Sequence, residues 1–369
     1  MLEFIQLKNF KCFEEQRIEF KNLTILSGLN STGKSSVLQS LLLLRQSYQQ
    51  DLLPDTGLAL NGDLVRIGTA KDALFEGAAE DMIGFEIIWN DSKKGVWNFQ
   101  YNSESDVLER VSPDVDDSIY QSSLFGDKFQ YLEAERFGPR TYLEISDFQV
   151  RQHRQIGTQG EYTAHFLSIY QDESIKCSDL AHPERESQTL KSQVEAWMGE
   201  VSPGTRLSVR SNTGLDLVNL QYSYGLSNDY RATNVGFGIS CTLPIVVAIL
   251  SSSPGTLVLL ENPEAHLHPK GQAKIGELVA LAASCGIQII LETHSDHILN
   301  GVRLAVHSGK VKPDDVQLHY FQRQAIKGEW QTDVVSPRID RNGRIDRWPD
   351  GFFDEWDKSL EALLEPAGE

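Results

Sequence analysis

A glycine-rich stretch at residues 28–35, GLNSTGKS, has the residue types and spacing of a phosphate-binding loop, G-x-x-x-x-G-K-[ST]. Gly28 and Gly33 allow the backbone to turn, so that successive N–H groups point into one concavity where phosphate oxygens can lie. Lys34 can then reach the β- and γ-phosphates of a nucleotide, and the hydroxyl of Ser35 can bind Mg²⁺. ATP and Mg²⁺ are therefore the predicted cofactors. The other nucleotide-binding residues predicted from this loop are Asn30, Ser31, Thr32 and Ser36.

A second set of polar residues ends an apolar run at residues 259–269, LLENPEAHLHP. The run predicts a buried strand that ends at Glu261, whose carboxylate would hold Mg²⁺ beside the phosphates. Asn262 follows and can orient a water molecule, but an amide cannot accept the proton of that water at neutral pH. Glu264, in the next turn, and Glu292, which ends the strand IQIILET, are the carboxylates that could act as the catalytic base. Neighbouring strands lie about 4.8 Å apart, so the side chain at the end of the second strand could reach the γ-phosphate, and we favour Glu292 as the base. Because Asn262 cannot accept the proton, we expect hydrolysis to be slow.

Two shorter motifs supply further candidates. GFGIS precedes an apolar helix, so Gly236 and Gly238 would allow close approach of a γ-phosphate, and Ser240 would donate a hydrogen bond to it. A glycine-rich turn with a helix cap is the alternative. His294 lies just beyond a strand, between Thr293 and Ser295. Contact with a γ-phosphate is the favoured role of His294, and helix capping is the alternative.

The elements that must position these residues alternate between helix and strand. After residue 236 the segments FGISCTLPIVVAIL, TLVLLE, KGQAKIGELVALAASC, IQIILET and DHILNGVRLAVHSG form an αβαβα series. The strand LTILSG and the helix SSVLQSLLLLRQSYQQ flank the glycine loop. Such alternation predicts an α/β fold of the P-loop NTPase kind, with a mostly parallel core sheet.

The remaining segments are expected to form lobes on this core. The predicted parts of the single unit 1–369 are a nucleotide-binding core at 1–50 and 236–335, an inserted antiparallel β-rich lobe at 51–135, a mostly helical lobe with a hairpin at 136–235, and a C-terminal tail at 336–369. SPDVDDSIYQSSLFGDK, at 112–128, predicts an exposed acidic loop. The tail carries Phe352, Trp356 and several leucines at helical spacing, which favours packing on the chain's own core over binding to a partner.

Composition limits the classes of partner. The chain has 34 Lys and Arg against 52 Asp and Glu, a net charge of −18, which argues against a broadly basic nucleic-acid binder but leaves a local DNA contact possible. Arg136 and Arg140, in ERFGPR, could sense nucleotide or contact an acidic partner, and salt-bridged arginines are the alternative. Four scattered cysteines predict free thiols in a reducing cytoplasm. No signal-like or membrane-spanning stretch is evident.

GLNSTGKSS, LLENPEAHLHPKGQ and LETHSDHIL, in that order, resemble the ABC-type ATPase heads of the SMC and OLD (overcoming lysogenization defect) families. The chain most resembles the single-head AAA-family ATPases encoded in prokaryotic genomes, many of them in anti-phage defence operons. VGFGISCTLPIV resembles the signature segment of these heads, and YLEAERFGPR and DGFFDEWDKSLEALL resemble other segments of the group. The resemblance covers nearly the whole chain and is weakest over about residues 50–125.

This resemblance implies a homodimer or higher oligomer in which two ATP molecules lie between Walker A of one subunit and the signature of the other. It places Glu261 at the Walker B acid and His294 at the switch histidine. The residues at the signature would be Gly236, Gly238 and Ser240. The family's usual Asp-Glu pair is Glu261-Asn262 here, which puts the usual base in doubt. OLD nucleases continue into a C-terminal Toprim nuclease domain, for which this sequence is expected to be too short, so the resemblance implies that any nuclease would be a separate partner.

The resemblance favours an ATP-driven switch that controls a nuclease-like effector, with a role in prokaryotic anti-phage defence. Two alternatives remain. One is an ATPase of the DNA-repair or recombination kind that acts on DNA itself. The other is a nucleotide-dependent scaffold that does not hydrolyse ATP, for which Asn262 is the main evidence.

Overall fold

The computed structural model describes residues 1–212, 214–326 and 329–365. The strands are β1 (Leu2–Phe10), β2 (Phe13–Glu19), β3 (Leu23–Gly28), β4 (Gly57–Ala59), β5 (Met82–Trp89), β6 (Lys94–Gln100), β7 (Val107–Glu109), β8 (Phe129–Leu132), β9 (Leu143–Glu144), β10 (Thr205–Asn212), β11 (Leu217–Tyr224), β12 (Tyr230–Arg231), β13 (Leu257–Glu261), β14 (Gln288–Glu292), β15 (Val316–Ile326) and β16 (Glu329–Val335). The α-helices are α1 (Lys34–Gln49), α2 (Ala70–Ala73), α3 (Thr163–Tyr170), α4 (Leu190–Val201), α5 (Phe237–Ser251), α6 (Pro269–Ser284), α7 (Asp296–His307) and α8 (Glu355–Leu364). Within the described residues, none of these helices has the length and apolar character of a membrane-spanning segment.

A six-stranded sheet in the order β16-β15-β3-β14-β13-β8 forms the centre of the molecule. The strands from β15 to β8 are parallel, and β16 is antiparallel to β15. Strands of a parallel sheet are buried on both faces, which explains the continuous apolar runs in β13 and β14. The carboxyl ends of β3, β13 and β14 meet at one edge, where Glu261 lies opposite Glu292 in register. The predicted α/β fold with a mostly parallel core sheet is confirmed.

A second, antiparallel sheet has the order β2-β1-β5-β6. Ile5 of β1 lies opposite Ile87 of β5, so β5 and β6 continue the sheet that the N-terminal strands begin, whereas β4 and β7 form a separate two-stranded sheet. β8 also falls in that range, yet it pairs with β13 in the central sheet. The residues of α1 buried between the two sheets are Val37, Leu38, Leu41, Leu42, Leu43 and Leu44. Burial of these six side chains explains why apolar residues occupy a wide face of this helix.

The segment 112–128 is only in part the exposed acidic loop that its composition predicted, because Asp114, Asp116 and Asp117 are exposed but the residues that follow pack on the protein. Ile119, Leu124 and Phe125 are buried, and a 3-10 helix crosses the segment. The ring of Phe125 packs edge-on against Tyr48 of α1, with 5.2 Å between the ring centroids. The prediction is wrong for residues 119–125, because three irregularly spaced apolar residues lie there among polar ones, and their burial depends on a helix distant in sequence.

The helical lobe packs α3 and α4 against a small sheet in which β10, β11 and β12 are neighbours and β9 also pairs with β11. A disulfide joins this lobe to the core, between Cys177 and Cys285 at the C-cap of α6. Cys12 and Cys241 are free. The prediction of four free thiols is wrong for the bonded pair, because nothing in the sequence indicates that two cysteines 108 residues apart meet in space.

Breaking this disulfide is expected to lower the free energy of unfolding by about 2–4 kcal/mol, because the crosslink restricts a long loop of the unfolded chain. The measurement is urea unfolding of Cys177→Ser and of the wild type, each with and without dithiothreitol. Reduction should destabilise the wild type and leave Cys177→Ser unchanged. If oxidised wild type and the variant unfold at the same urea concentration, the disulfide contributes nothing to stability.

The C-terminal tail contacts the core through the buried residues Ile339, Ile345 and Phe352. Phe352 is fully buried, and its ring centroid lies 5.3 Å from that of Tyr320 and 5.3 Å from that of Trp348. Tyr320 also donates a hydrogen bond of 3.0 Å to the carbonyl of Asp350. The apolar residues of α8, in contrast, remain exposed. Packing of the tail on its own core therefore holds for Ile339, Ile345 and Phe352 and does not extend to the leucines of α8.

Candidate nucleotide-binding site

The glycine loop connects the end of β3 to the start of α1 at Lys34. Gly28 and Gly33 have positive φ angles of 135° and 102°, which favour glycine. Space also requires glycine, because a Cβ on Gly28 would lie 2.1 Å from the carbonyl oxygen of Phe321 and one on Gly33 would lie 2.5 Å from Cys12 Sγ. The loop is thus held in a tight turn that ends at a helix N-terminus, an arrangement suited to anions.

Lys34 is buried within this loop. Its Nζ donates hydrogen bonds to the carbonyls of Gly28 at 3.1 Å and Leu29 at 2.7 Å. A carboxylate oxygen of Glu292 lies 3.9 Å away. Burial lowers the pKa of Lys34, and the charge of Glu292 partly opposes this change. A buried ammonium that contacts two backbone carbonyls and one carboxylate can exchange those contacts for phosphate oxygens.

Glu292 ends β14 and meets the loop directly. Its Oε2 accepts a hydrogen bond of 2.8 Å from Ser35 Oγ, the hydroxyl predicted to bind Mg²⁺. Burial raises the pKa of Glu292, as do Glu261 and Glu264, against the hydrogen bond from Ser35 and the charge of Lys34. The structure therefore brings together Lys34, Ser35 and Glu292.

Glu261 has different partners. Its Oε1 accepts a hydrogen bond of 2.9 Å from the hydroxyl of Tyr131, and its Oε2 accepts one of 3.3 Å from the N–H of Ala134. Burial raises the pKa of Glu261. The sequence placed the Mg²⁺ carboxylate at Glu261, whereas the carboxylate that contacts Ser35 belongs to Glu292. Tyr131 was not anticipated, because its role depends on β8 pairing with β13.

Asn262 occupies a turn that asparagine tolerates well. Its φ is 44°, in the left-handed region where asparagine is enriched. Its N–H donates a hydrogen bond of 2.9 Å to the carbonyl of Glu292, and its own carbonyl accepts one of 2.6 Å from Arg136. The left-handed conformation gives a structural reason for asparagine at position 262. From sequence, this residue was notable only because it cannot act as the catalytic base.

Glu264 holds the segment that carries His294. Its Oε2 accepts a hydrogen bond of 2.7 Å from Thr293 Oγ1, and its Oε1 accepts one of 2.8 Å from the N–H of His294. The next residue, Ser295, is the N-cap of α7 and accepts hydrogen bonds from two N–H groups of that helix. The His294 side chain is exposed, and partial desolvation followed by the charge of Lys34 lowers its pKa. The capping role considered for His294 therefore belongs to Ser295.

Two clefts border the loop. One of 460 Å³ has Cys12 and Phe13 on its wall, next to Gly33. The other, of 590 Å³, is lined by Leu29 and Asn30 of the loop, by His294, and by residues of α8. The second cleft therefore gives the candidate site open space directly beside the phosphate loop.

Residues 23–300 match the family model described as "AAA domain, putative AbiEii toxin, Type IV TA system", which is more than half of the chain. The chain belongs to this AAA domain family. Residues 311–363 match a second model, described as "Protein of unknown function (DUF3696)". Comparison with curated proteins gave no match.

Solved structures similar to this AAA domain include SMC heads. The crystal structure of the SmcHead bound to the C-winged helix domain of ScpA shares 14% identity over 92% of this chain and 98% of that chain, with a TM-score of 0.55. The SMC head domain from Thermotoga maritima shares 12% identity over 90% of this chain and 98% of that chain, with a TM-score of 0.46. The first likeness shows the fold alone. Together with the family match, it confirms the resemblance to an ABC-type AAA ATPase of the SMC-head kind.

Arg136 of the AAA domain is a structural residue, although the sequence suggested nucleotide sensing or a salt bridge. Its side chain is 6% exposed, and its guanidinium donates to backbone carbonyls of Glu133, Cys241, Glu261 and Asn262. Burial lowers its pKa. These bonds tie the loop after β8 and the helix α5 to the turn that follows β13.

Replacing Arg136 by lysine is expected to lower the free energy of unfolding by about 2–4 kcal/mol, because a single ammonium cannot supply the planar set of donors that four carbonyls require. Urea unfolding measures the effect. Arg140→Lys is the matched control, since Arg140 in the same motif is exposed and should tolerate the change. Unchanged stability of Arg136→Lys would contradict the structural role.

The signature residues predicted for the AAA domain do not all face outward. Gly236 is exposed, but a Cβ on Gly238 would lie 2.3 Å from the carbonyl oxygen of His266, and Ser240 Oγ is buried without a hydrogen-bond partner in the described residues. Phe237 is 47% exposed, and its ring lies 4.5 Å from that of His266. The glycine at 238 therefore serves packing within the chain, and the exposed side chain of the motif is Phe237, which the sequence gave no reason to select.

Proposed function

We propose that the protein is an ATP-dependent switch that binds Mg²⁺-ATP at the loop 28–36, hydrolyses it slowly and dimerises around it. The observation that carries this proposal is the cluster of Lys34, Ser35 and Glu292 at the N-terminus of α1. A cation, a hydroxyl and a carboxylate at a helix N-terminus are the groups that a nucleotide triphosphate and its metal require.

Ser35 and Glu292 are the residues that fit Mg²⁺. The ion prefers hard oxygen ligands, and Ser35 Oγ and Glu292 Oε2 lie 2.8 Å apart. Bound Mg²⁺ neutralises charge on the phosphate oxygens. The contact with Ser35 supports a metal-side role for Glu292 over the role of base favoured from sequence, because a carboxylate beside a divalent ion is a weak proton acceptor. Glu261 remains a second carboxylate at the same sheet edge.

Slow hydrolysis follows from the state of the other candidate bases. Asn262 cannot accept a proton, and both carboxylate oxygens of Glu264 accept hydrogen bonds from Thr293 and His294. Glu261 is likewise engaged by Tyr131. The side chain of His294 is exposed beside the loop, where it can contact a γ-phosphate.

Dimerisation is proposed because the predicted signature lies apart from the loop. No hydrogen bond in the described part of the chain joins residues 28–36 to residues 236–240. A second copy could supply Gly236, which is exposed, to the nucleotide. Gly238 and Ser240, which face their own chain, would then only help to fix the conformation of the signature segment.

Control of a separate nuclease-like effector in anti-phage defence is proposed from the resemblance. The family description names a toxin of a type IV toxin–antitoxin system, which is compatible with such a role. One similar SMC head binds a domain of another protein, ScpA. The net charge of −18 disfavours DNA as the main partner.

The test is light scattering of the purified protein without nucleotide, with ADP and with a non-hydrolysable ATP analogue plus Mg²⁺. We expect the mass to double only with the analogue. Bound nucleotide is measured in the same samples. Protein that binds the analogue and remains monomeric would contradict the switch, and protein that dimerises on ATP without any turnover would establish the non-hydrolysing scaffold instead.

A further inference from the structure

Helix α8 presents an apolar face that nothing in the described structure covers. Trp356, Leu360, Leu363 and Leu364 are between 43% and 85% exposed. Their spacing of four, seven and eight residues places them on one side of the helix. An exposed apolar face of this size is typical of an interaction surface.

Helix α8 lies beside the candidate nucleotide-binding site. Glu355, Trp356 and Ser359 line the 590 Å³ cleft whose other wall includes Asn30 of the phosphate loop and His294. Phe352 anchors the tail to the core immediately before the helix. A protein surface that closes over the phosphate loop would therefore meet α8 as well.

The acidic residues of α8 indicate what kind of surface it can bind. Glu355, Glu361 and Glu365 are exposed and make the helix acidic, while Lys358 lies 3.0 Å from Asp354 and is thereby paired. An acidic amphipathic helix fits an apolar surface flanked by unpaired cations.

The signature segment of the same protein offers such a surface. Phe237 is exposed and borders a 410 Å³ cleft that Arg140 also lines. Arg231 lies five residues before the signature and is exposed. In the part of the chain that the structure describes, neither Arg140 nor Arg231 forms a salt bridge, whereas Arg206 and Arg210 nearby each do.

We propose that α8 of one protomer docks on the signature face of a second copy, with its apolar residues on Phe237 and its glutamates beside Arg140 and Arg231. This inference rests on the proposed nucleotide-dependent dimer and adds a contact that the nucleotide does not make. Two copies that each carry a net charge of −18 repel one another, so a local attraction between opposite charges favours the assembled state. The tail would thereby help to decide whether ATP closes the dimer.

The test is sedimentation of full-length protein with a non-hydrolysable ATP analogue and Mg²⁺. We expect Leu363→Glu and Glu361→Arg to weaken dimerisation roughly 30-fold or more while they bind the analogue as wild type does. Val111→Glu, a change at an exposed apolar residue elsewhere, should have no effect. If the wild type dimerises and both variants dimerise equally well, the proposed α8 contact is overturned, whereas the proposed nucleotide-dependent dimer stands.

A mixing experiment tests whether the contact is between copies. Glu361→Arg and Arg140→Glu should each fail to dimerise, whereas an equimolar mixture should dimerise, because both contacts of the mixed dimer pair opposite charges. A mixture that stays monomeric would overturn the inference. Wild type that binds the analogue and stays monomeric would overturn the proposed function, and this contact with it.

Discussion

Replacing Lys34 by alanine is expected to raise the dissociation constant for Mg²⁺-ATP about 100-fold or more and to abolish turnover. The Nζ of Lys34 is buried inside the loop, and its partners among the described residues are the carbonyls of Gly28 and Leu29 and the carboxylate of Glu292. Charge-assisted hydrogen bonds to phosphate contribute about 1.5–3 kcal/mol each, and two of them account for this loss. Isothermal titration with ATP measures it.

The matched control for this prediction is Lys21→Ala, at an exposed lysine before β3. It should bind ATP as wild type does. A Lys34→Ala protein that is folded and still binds ATP with wild-type affinity would remove the phosphate loop from the proposed site.

Replacing Glu292 by glutamine is expected to raise the Mg²⁺ concentration needed for half-maximal turnover about 10- to 100-fold. The amide keeps the shape of the side chain and removes the charge that lies against Ser35 Oγ. If Glu292 were the base instead, turnover would fall by about 10²–10⁴-fold with an unchanged Mg²⁺ dependence. A Mg²⁺ titration of the steady-state rate distinguishes the two roles. Glu3→Gln, at an exposed glutamate of β1, is the control.

The same variant should not unfold more easily than wild type. Burial raises the pKa of Glu292 above the ordinary glutamate value of about 4.5, so its ionised form is less favourable in the folded than in the unfolded chain. The free energy of unfolding therefore falls as pH rises from the pKa of Glu292 in the unfolded chain to its pKa in the folded chain. Glutamine does not ionise, so the variant does not lose this stability at neutral pH. The thermal midpoint of nucleotide-free Glu292→Gln is expected to equal or exceed that of wild type.

Much of the nucleotide core was predictable because its signals are local. The spacing of Gly28, Gly33 and Lys34 defines a turn before a helix, and the apolar runs that end at Glu261 and Glu292 define neighbouring parallel strands. Placing Glu292 close to the phosphate region needed only the spacing between strands.

The partners of individual side chains were not predictable, because they depend on contacts distant in sequence. The hydrogen bond from Ser35 to Glu292 spans 257 residues, and that from Tyr131 to Glu261 spans 130. The apolar run after Gly236 predicted the helix α5, but not that a neighbouring carbonyl fills the space beside Gly238.

The most direct test of an ATP switch that works as a dimer is specific ATP turnover measured over a wide range of protein concentration with saturating Mg²⁺-ATP. If two copies complete each site, turnover per subunit rises with concentration and reaches a plateau where light scattering shows the dimer. Turnover per subunit that stays constant while the protein is monomeric would show that one chain hydrolyses ATP alone, and would contradict the shared site.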